Sequence, residues 1–159
     1  MTRMTSILAI ATALTASVAV AATEVEEIDV NVDLTAIEHA AAAGVWRDIE
    51  VDLENAIAAR LVNQLSDDGA SITIDIDEVS LADNFATAIG AGNAKLQGEV
   101  DIRVPGVGNN ERYTLTVNAD QVQPFVPEGM VVTELKVADG AFYNAMIEGF
   151  ADNVAMKLK

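Results

Sequence analysis

The 159 residues include no cysteine. No disulfide can form, even in a compartment that would permit one, and no lipid-modified cysteine can tether the chain. There is one histidine, His39. A zinc site draws on several histidines or cysteines, so none is expected. As a catalytic base His39 would need a nucleophile in reach, and no serine or cysteine motif accompanies it. It sits among alanines in the first turns of an expected helix, where a packing or surface role suits it. Basic residues are also scarce, nine against 25 acidic ones, for a net charge of −16. Without a basic patch there is no counterion release to drive binding to nucleic acid or anionic lipid. The acidic excess reads as solvation and favours cationic partners: divalent ions, basic proteins or amine-bearing molecules.

Long apolar runs are missing too, with one exception. Ile7 to Ala22 runs without a charge behind Arg3, and Ala19-Val20-Ala21 is the small-x-small pattern at which a signal peptidase cleaves. The run is short for a membrane span, which needs ~20 apolar residues, and acidic TEVEE follows at once. Residues 1–22 are therefore expected to be a cleaved export signal with Ala22 or Thr23 as the mature start, and residues 23–159 one α+β domain. The mature chain keeps eight basic and 25 acidic residues, a net charge of −17. The protein is expected to be soluble and periplasmic, with no membrane anchor after cleavage.

What is present is amphipathic patterning. In EEIDVNVDL, Ile28, Val30, Val32 and Leu34 alternate with polar residues, the period of a strand with one wet face. Thr35 and Glu38 match a capping box. Trp46, Ile49, Leu53, Ile57, Leu61 and Leu65 recur at helical steps, with Asp67-Asp68-Gly69 as the expected stop. Ile72, Ile74 and Ile76 mark a second strand. Its phase slips before Val79 and Leu81, which predicts a bulge near Asp77-Glu78. Leu96, Val100, Ile102 and Val104 mark a third strand, and Tyr113, Leu115, Val117 and Ala119 a fourth, across a turn-rich loop from Pro105. VVTELKV is a candidate fifth strand. Asp139 then caps a last helix with Phe142, Tyr143, Met146, Ile147, Phe150, Val154 and Leu158 as its stripe. The expected fold is a two-layer sandwich of order β-α-β-β-β-α. One mostly antiparallel sheet of four or five strands carries two amphipathic helices on one face. The first two strands can run parallel through the long helix.

Candidate chemistry is sparse. The expected wet face gathers Glu27, Asp29, Asp33, Asp75, Asp77, Glu99 and Asp101. Carboxylates suit a hard cation such as calcium, which takes six to eight oxygens. Asp29-Val-Asn31-Val-Asp33 fails as a calcium loop, because Leu34 stands where glycine must turn the chain and Ala40 where the bidentate glutamate belongs. The expected bulge, with Asp77 and Glu78 near Glu99 or Asp101, is the better metal candidate. Paired carboxylates are also the apparatus of a glycosidase, but nothing in the pattern buries one in a cleft. Gly90-Ala-Gly92 and Gly106-Val-Gly108 precede strands and read as turns, since phosphate cradles sit before helices. Trp46 and the Phe142-Tyr143 pair lie on apolar stripes and read as core.

DLTAIE at 33–38, Trp46-x-x-x-Glu50 with DLENAIAARL, DIDEVSLA at 75–82 and EGFAD at 148–152 together resemble a family of small exported bacterial proteins of unknown function. The resemblance implies location and fold and no activity, cofactor or catalytic residue. The element order is also loosely similar to periplasmic accessory proteins of outer-membrane assembly or transport. Three functions follow as expectations. The first is a non-catalytic periplasmic binding or accessory protein that contacts an unknown protein or small ligand through an apolar groove or a free sheet edge. The second is a small carboxylate-dependent hydrolase. The third is a calcium- or cation-binding protein.

Overall fold

A computed structural model describes residues 22–34, 44–77, 94–106, 110–136 and 139–159. The expected export signal up to residue 21, the Thr35 capping box, His39, Glu78, the phase slip to Leu81 and Gly90-Ala-Gly92 lie outside those residues. Four strands form one mixed sheet in the order β1-β2-β3-β4: β1 Val25–Asn31, β2 Ala70–Ile76, β3 Lys95–Arg103 and β4 Glu111–Asn118. β1 runs parallel to β2, and the β2–β3 and β3–β4 pairs are antiparallel. Helix α1, Ile49–Arg60, lies between β1 and β2 in sequence, and helix α2, Gly140–Lys157, closes the described chain.

Alternation decides which face of the sheet is dry. Ile72, Ile74 and Ile76 on β2 and Leu96, Val100 and Ile102 on β3 are buried, while Asp75, Glu99 and Arg103 are exposed. Trp46, Ile49, Leu53, Ile57 and Leu61 from the α1 region and Phe142, Met146, Phe150 and Val154 from α2 join the same core. Two layers therefore share one hydrophobic interior. Arg60 ties the helices together across the top. Its guanidinium donates to the Ala56 carbonyl within α1 and to the carbonyl and carboxylate of Glu148 on α2, the last at 2.7 Å.

Several local expectations need correction. α1 ends at Arg60, not at Gly69, so Leu65 is off the stripe and 49% exposed. The helix stops early because the chain beyond it is captured by β1. Val25 N–H donates to the Gln64 carbonyl at 2.8 Å, and Ser66 N–H donates to the Val25 carbonyl at 2.9 Å. Gly69 is not a left-handed cap. A Cβ there would fall 2.7 Å from Val25 and Glu26 backbone atoms, so its role is close approach of two chain segments. The β1–β2 register contains an irregularity between Val25 and Glu27 that the sequence pattern did not announce.

The fifth strand is absent among the described residues: Val132–Glu134 is a short 3₁₀ turn. The Gln123 side chain holds that turn, donating to the Met130 carbonyl and accepting from Val132 N–H. A side-chain amide thus occupies the groups that a neighbouring strand would have needed. Asp139 precedes α2, but its carboxylate accepts from Lys136 N–H instead of the first-turn amides. No helix among the described residues is long and apolar enough to cross a membrane.

Candidate functional site

The wet face of the sheet brings most of the expected carboxylates together but does not leave them free. Cross-strand register sets them in rows: Asn31–Asp75–Glu99–Thr114 and, beside it, Asp29–Thr73–Asp101–Arg112. Asp75 and Glu99 are the one like-charged cross-strand pair among these registers. Arg112 reaches Asp101 at 2.6 Å and Glu99 at 3.4 Å, and Arg103 reaches Asp101 at 3.1 Å. The two arginines hold the Asp101 carboxyl below the usual carboxylate range, Arg103 contributing the larger share. That contribution is present above the unfolded-state pKa and is lost as pH falls through the depressed folded-state value. Asp77 is held by Gln97, whose side-chain amide donates to its carboxylate at 2.8 Å, and Thr116 in turn donates to Gln97.

Asp75, Asp77, Gln97, Glu99 and Thr114 border an open depression of about 340 Å³. No group of three metal-ligating side chains among the described residues is placed to hold an ion. Of the four sequence candidates, Asp77, Glu99 and Asp101 therefore share a face without forming a cage. The arginines that interrupt them were the overlooked signal: Arg103 and Arg112 have the strand parity of the acids. The expected consequence is thermal. Calcium chloride should raise the melting temperature no more than sodium chloride of equal ionic strength, because screening acts alike in both while a site would add a mass-action shift. A calcium-specific rise that disappears in Asp77→Asn or Glu99→Gln would reverse this assignment.

The helix interface carries the other perturbed groups. Tyr143 donates to the Asp52 carboxylate at 2.7 Å and packs on Trp46 with ring centroids 5.4 Å apart. Burial, then the bond to Asp52, pushes the Tyr143 phenol well above its ordinary value. Tyr113, on β4, is pushed up to about 12, chiefly by burial. Its hydroxyl is buried with no hydrogen-bond partner among the described residues, as is Trp46 Nε1. The same substitution should then have opposite signs at the two tyrosines. Tyr143→Phe loses a bond to a charged acceptor, a loss of ~1.5–3 kcal/mol, whereas Tyr113→Phe removes an unsatisfied group and should be neutral or stabilising by ~1 kcal/mol. Urea denaturation midpoints of the two variants give the comparison.

The two sheet edges differ. On β1, Val30 N–H donates to the Glu54 carboxylate at 3.2 Å, and just past its end Val32 N–H donates to the Glu50 carboxylate at 2.9 Å. On β4, Ala119 N–H donates to the Ala94 carbonyl of the β3 side. Because both polar groups of an antiparallel residue point the same way, the odd-numbered β4 residues face β3 and the even-numbered ones face outward. Asn118 N–H is taken by the Gln121 side chain at 2.7 Å. The amides of Arg112, Thr114 and Thr116 have no partner among the described residues. Formal charge separates along the same axis. Described residues 22–77, with β1, α1 and β2, hold 13 acidic and two basic residues, a net −11; described residues 94–159 hold nine and six, a net −3. Near β4 the charges are matched, with Lys157 bound to Glu111 at 3.0 Å and seated 5.0 Å from the Tyr113 ring centre.

No known protein family matches the sequence, and no curated protein is significantly similar to it. Two solved structures are similar in general chain path. One is described as an uncharacterized protein, with a TM-score of 0.44 and 10% identity over 86% of this chain and 92% of that one. The other is a provisionally designated lipoprotein from Caulobacter crescentus CB15, with a TM-score of 0.34 and 16% identity over 82% of this chain and 86% of that one.

Proposed function

We propose that this is a non-catalytic binding or accessory protein of the bacterial periplasm, exported by the signal at residues 1–22, and that its contact surface is the outer edge of β4. The observation that carries the reading is the row of outward amides at Arg112, Thr114 and Thr116, which have no partner among the described residues, beside an edge whose charges are already paired. An exposed strand edge is a template for an added strand. Leu115 and Tyr113 are only partly covered on the core side of that edge, so an incoming strand with alternate apolar residues would complete their burial. Acid–base catalysis is not favoured at Asp48 or Asp101: both are driven lower by neighbouring arginines, the opposite of what a general acid needs.

The test is site-specific crosslinking in periplasmic extract. A photoreactive residue at Thr116 should capture a partner that the same residue at Glu27, across the sheet, does not. Thr114→Pro, which deletes one outward amide and is tolerable on an edge strand, should abolish the capture at an unchanged melting temperature. Equal capture by the proline variant, or capture from Glu27 alone, would overturn the β4 assignment.

A further inference from the structure

The opposite edge of the sheet is closed by means that no strand pattern reveals, and we infer that Glu50 and Glu54 act there as a surrogate strand whose task is to keep β1 from pairing with a second copy of this chain. The geometry matches in pitch. Residues four apart on a helix rise about 6.0 Å at 1.5 Å per residue, and residues two apart on a strand span about 6.6 Å. Glu50 and Glu54 therefore meet Val32 and Val30 in order, with the helix running against the strand. Farther back, Val25 is bonded on both its amide and its carbonyl by Ser66 and Gln64. Along this edge Val25 is thus taken by a fragment of extended chain, and the Val30 and Val32 amides by two side chains.

A carboxylate accepts and cannot donate. It satisfies the edge amides without offering a ladder that another strand could continue. β1 needs such closure because VEEIDVN alternates in a register that its own copy can match, and alternating strands with open edges pair with one another. The closed β1 edge is independent of what β4 binds, so the two proposals stand or fall on separate measurements.

The test compares Glu50→Ala/Glu54→Ala with Glu50→Gln/Glu54→Gln. Glutamine keeps an acceptor oxygen and loses the charge; alanine loses both. In the alanine variant, amide exchange at Val30 and Val32 should quicken at least tenfold, and a concentration-dependent larger species should form. Because the chain has no cysteine of its own, Glu27→Cys introduced into that variant should form a disulfide between copies, and Thr116→Cys should not. The glutamine variant should keep slow exchange and wild-type size. Unchanged exchange in the alanine variant, association of the glutamine variant to the same degree, or crosslinking only through position 116 would each overturn the inference. If the alanine variant fails to fold, the wild-type protein still decides the matter: Val30 and Val32 amides should exchange more slowly than Thr114 and Thr116, and equal rates would refute it.

Discussion

Ile74→Ala is expected to lower the free energy of unfolding by ~2–5 kcal/mol, while Asp75→Ala, one residue along, should stay within ~0.5 kcal/mol. Ile74 is wholly buried at the centre of β2, opposite Val100 on β3 and Val30 on β1. Truncation removes apolar surface from the core and leaves a cavity that the two flanking strands cannot collapse into without losing register. Asp75 points the other way, exposed, with Glu99 as its cross-strand neighbour. Removing it also relieves a like-charge contact, which offsets whatever it contributes. Urea denaturation of the two variants checks the pair. Equal midpoints would mean that the inward face of β2 has been misassigned.

Gly69→Ala should be comparably damaging, at ~3 kcal/mol, although it adds a single methyl group. The added Cβ would lie 2.7 Å from Val25 N, Val25 C and Glu26 N. Those atoms cannot swing aside as a side chain would. Val25 is bonded to Gln64 and Ser66, and the Glu24 carbonyl accepts from Ala70 N–H at 2.8 Å. Relief requires β1 to move as a unit, and overpacking of that kind costs ~1–3 kcal/mol, occasionally more. Gly140→Ala is the control. Its Cβ would meet nothing within 4 Å among the described residues, and at the first position of α2 alanine should be neutral or slightly stabilising. If both variants melt alike, the close approach at Gly69 is not holding the two segments together.

The contrast between these two glycines bears on what the amino-acid sequence could reveal. Strand phase in β2 and β3 and the apolar stripe of α2 were legible because burial there repeats with the period of the element itself. Ile72, Ile74 and Ile76 need no knowledge of their neighbours. β4 was legible in direction but not in depth: Tyr113 and Leu115 face inward yet are only half-buried, because an edge strand has cover on one side alone. The misreadings came from side-chain and backbone contacts that the period of an element does not record. Leu65 continued the helical spacing, but Val25 pulled residues 64–66 into an extended bridge. VVTELKV had strand composition, but the Gln123 side chain supplied its bonds first. Glu50 and Glu54 bind strand amides that lie 18 and 24 residues away, which no helical pattern records. The acidic face shows the same limit. Asp101 and Glu99 alternate correctly for a shared face, but Arg112, their counterion, arrives from the next strand across a loop.

Among the described residues the charge is uneven, −11 over residues 22–77 with β1 against −3 over residues 94–159 with β4, and these residues form an electric dipole lying across the sheet. In any field from a charged surface it experiences a torque as well as a force. Near an anionic surface, such as a membrane leaflet, the β1 flank with α1 is pushed outward harder than the β4 flank. The protein would then approach with β4 leading and its closed edge trailing. Screening limits this to separations within a Debye length, ~8 Å at physiological ionic strength. The selection of orientation therefore occurs in the last few ångströms before contact, where it decides which edge of the sheet arrives first.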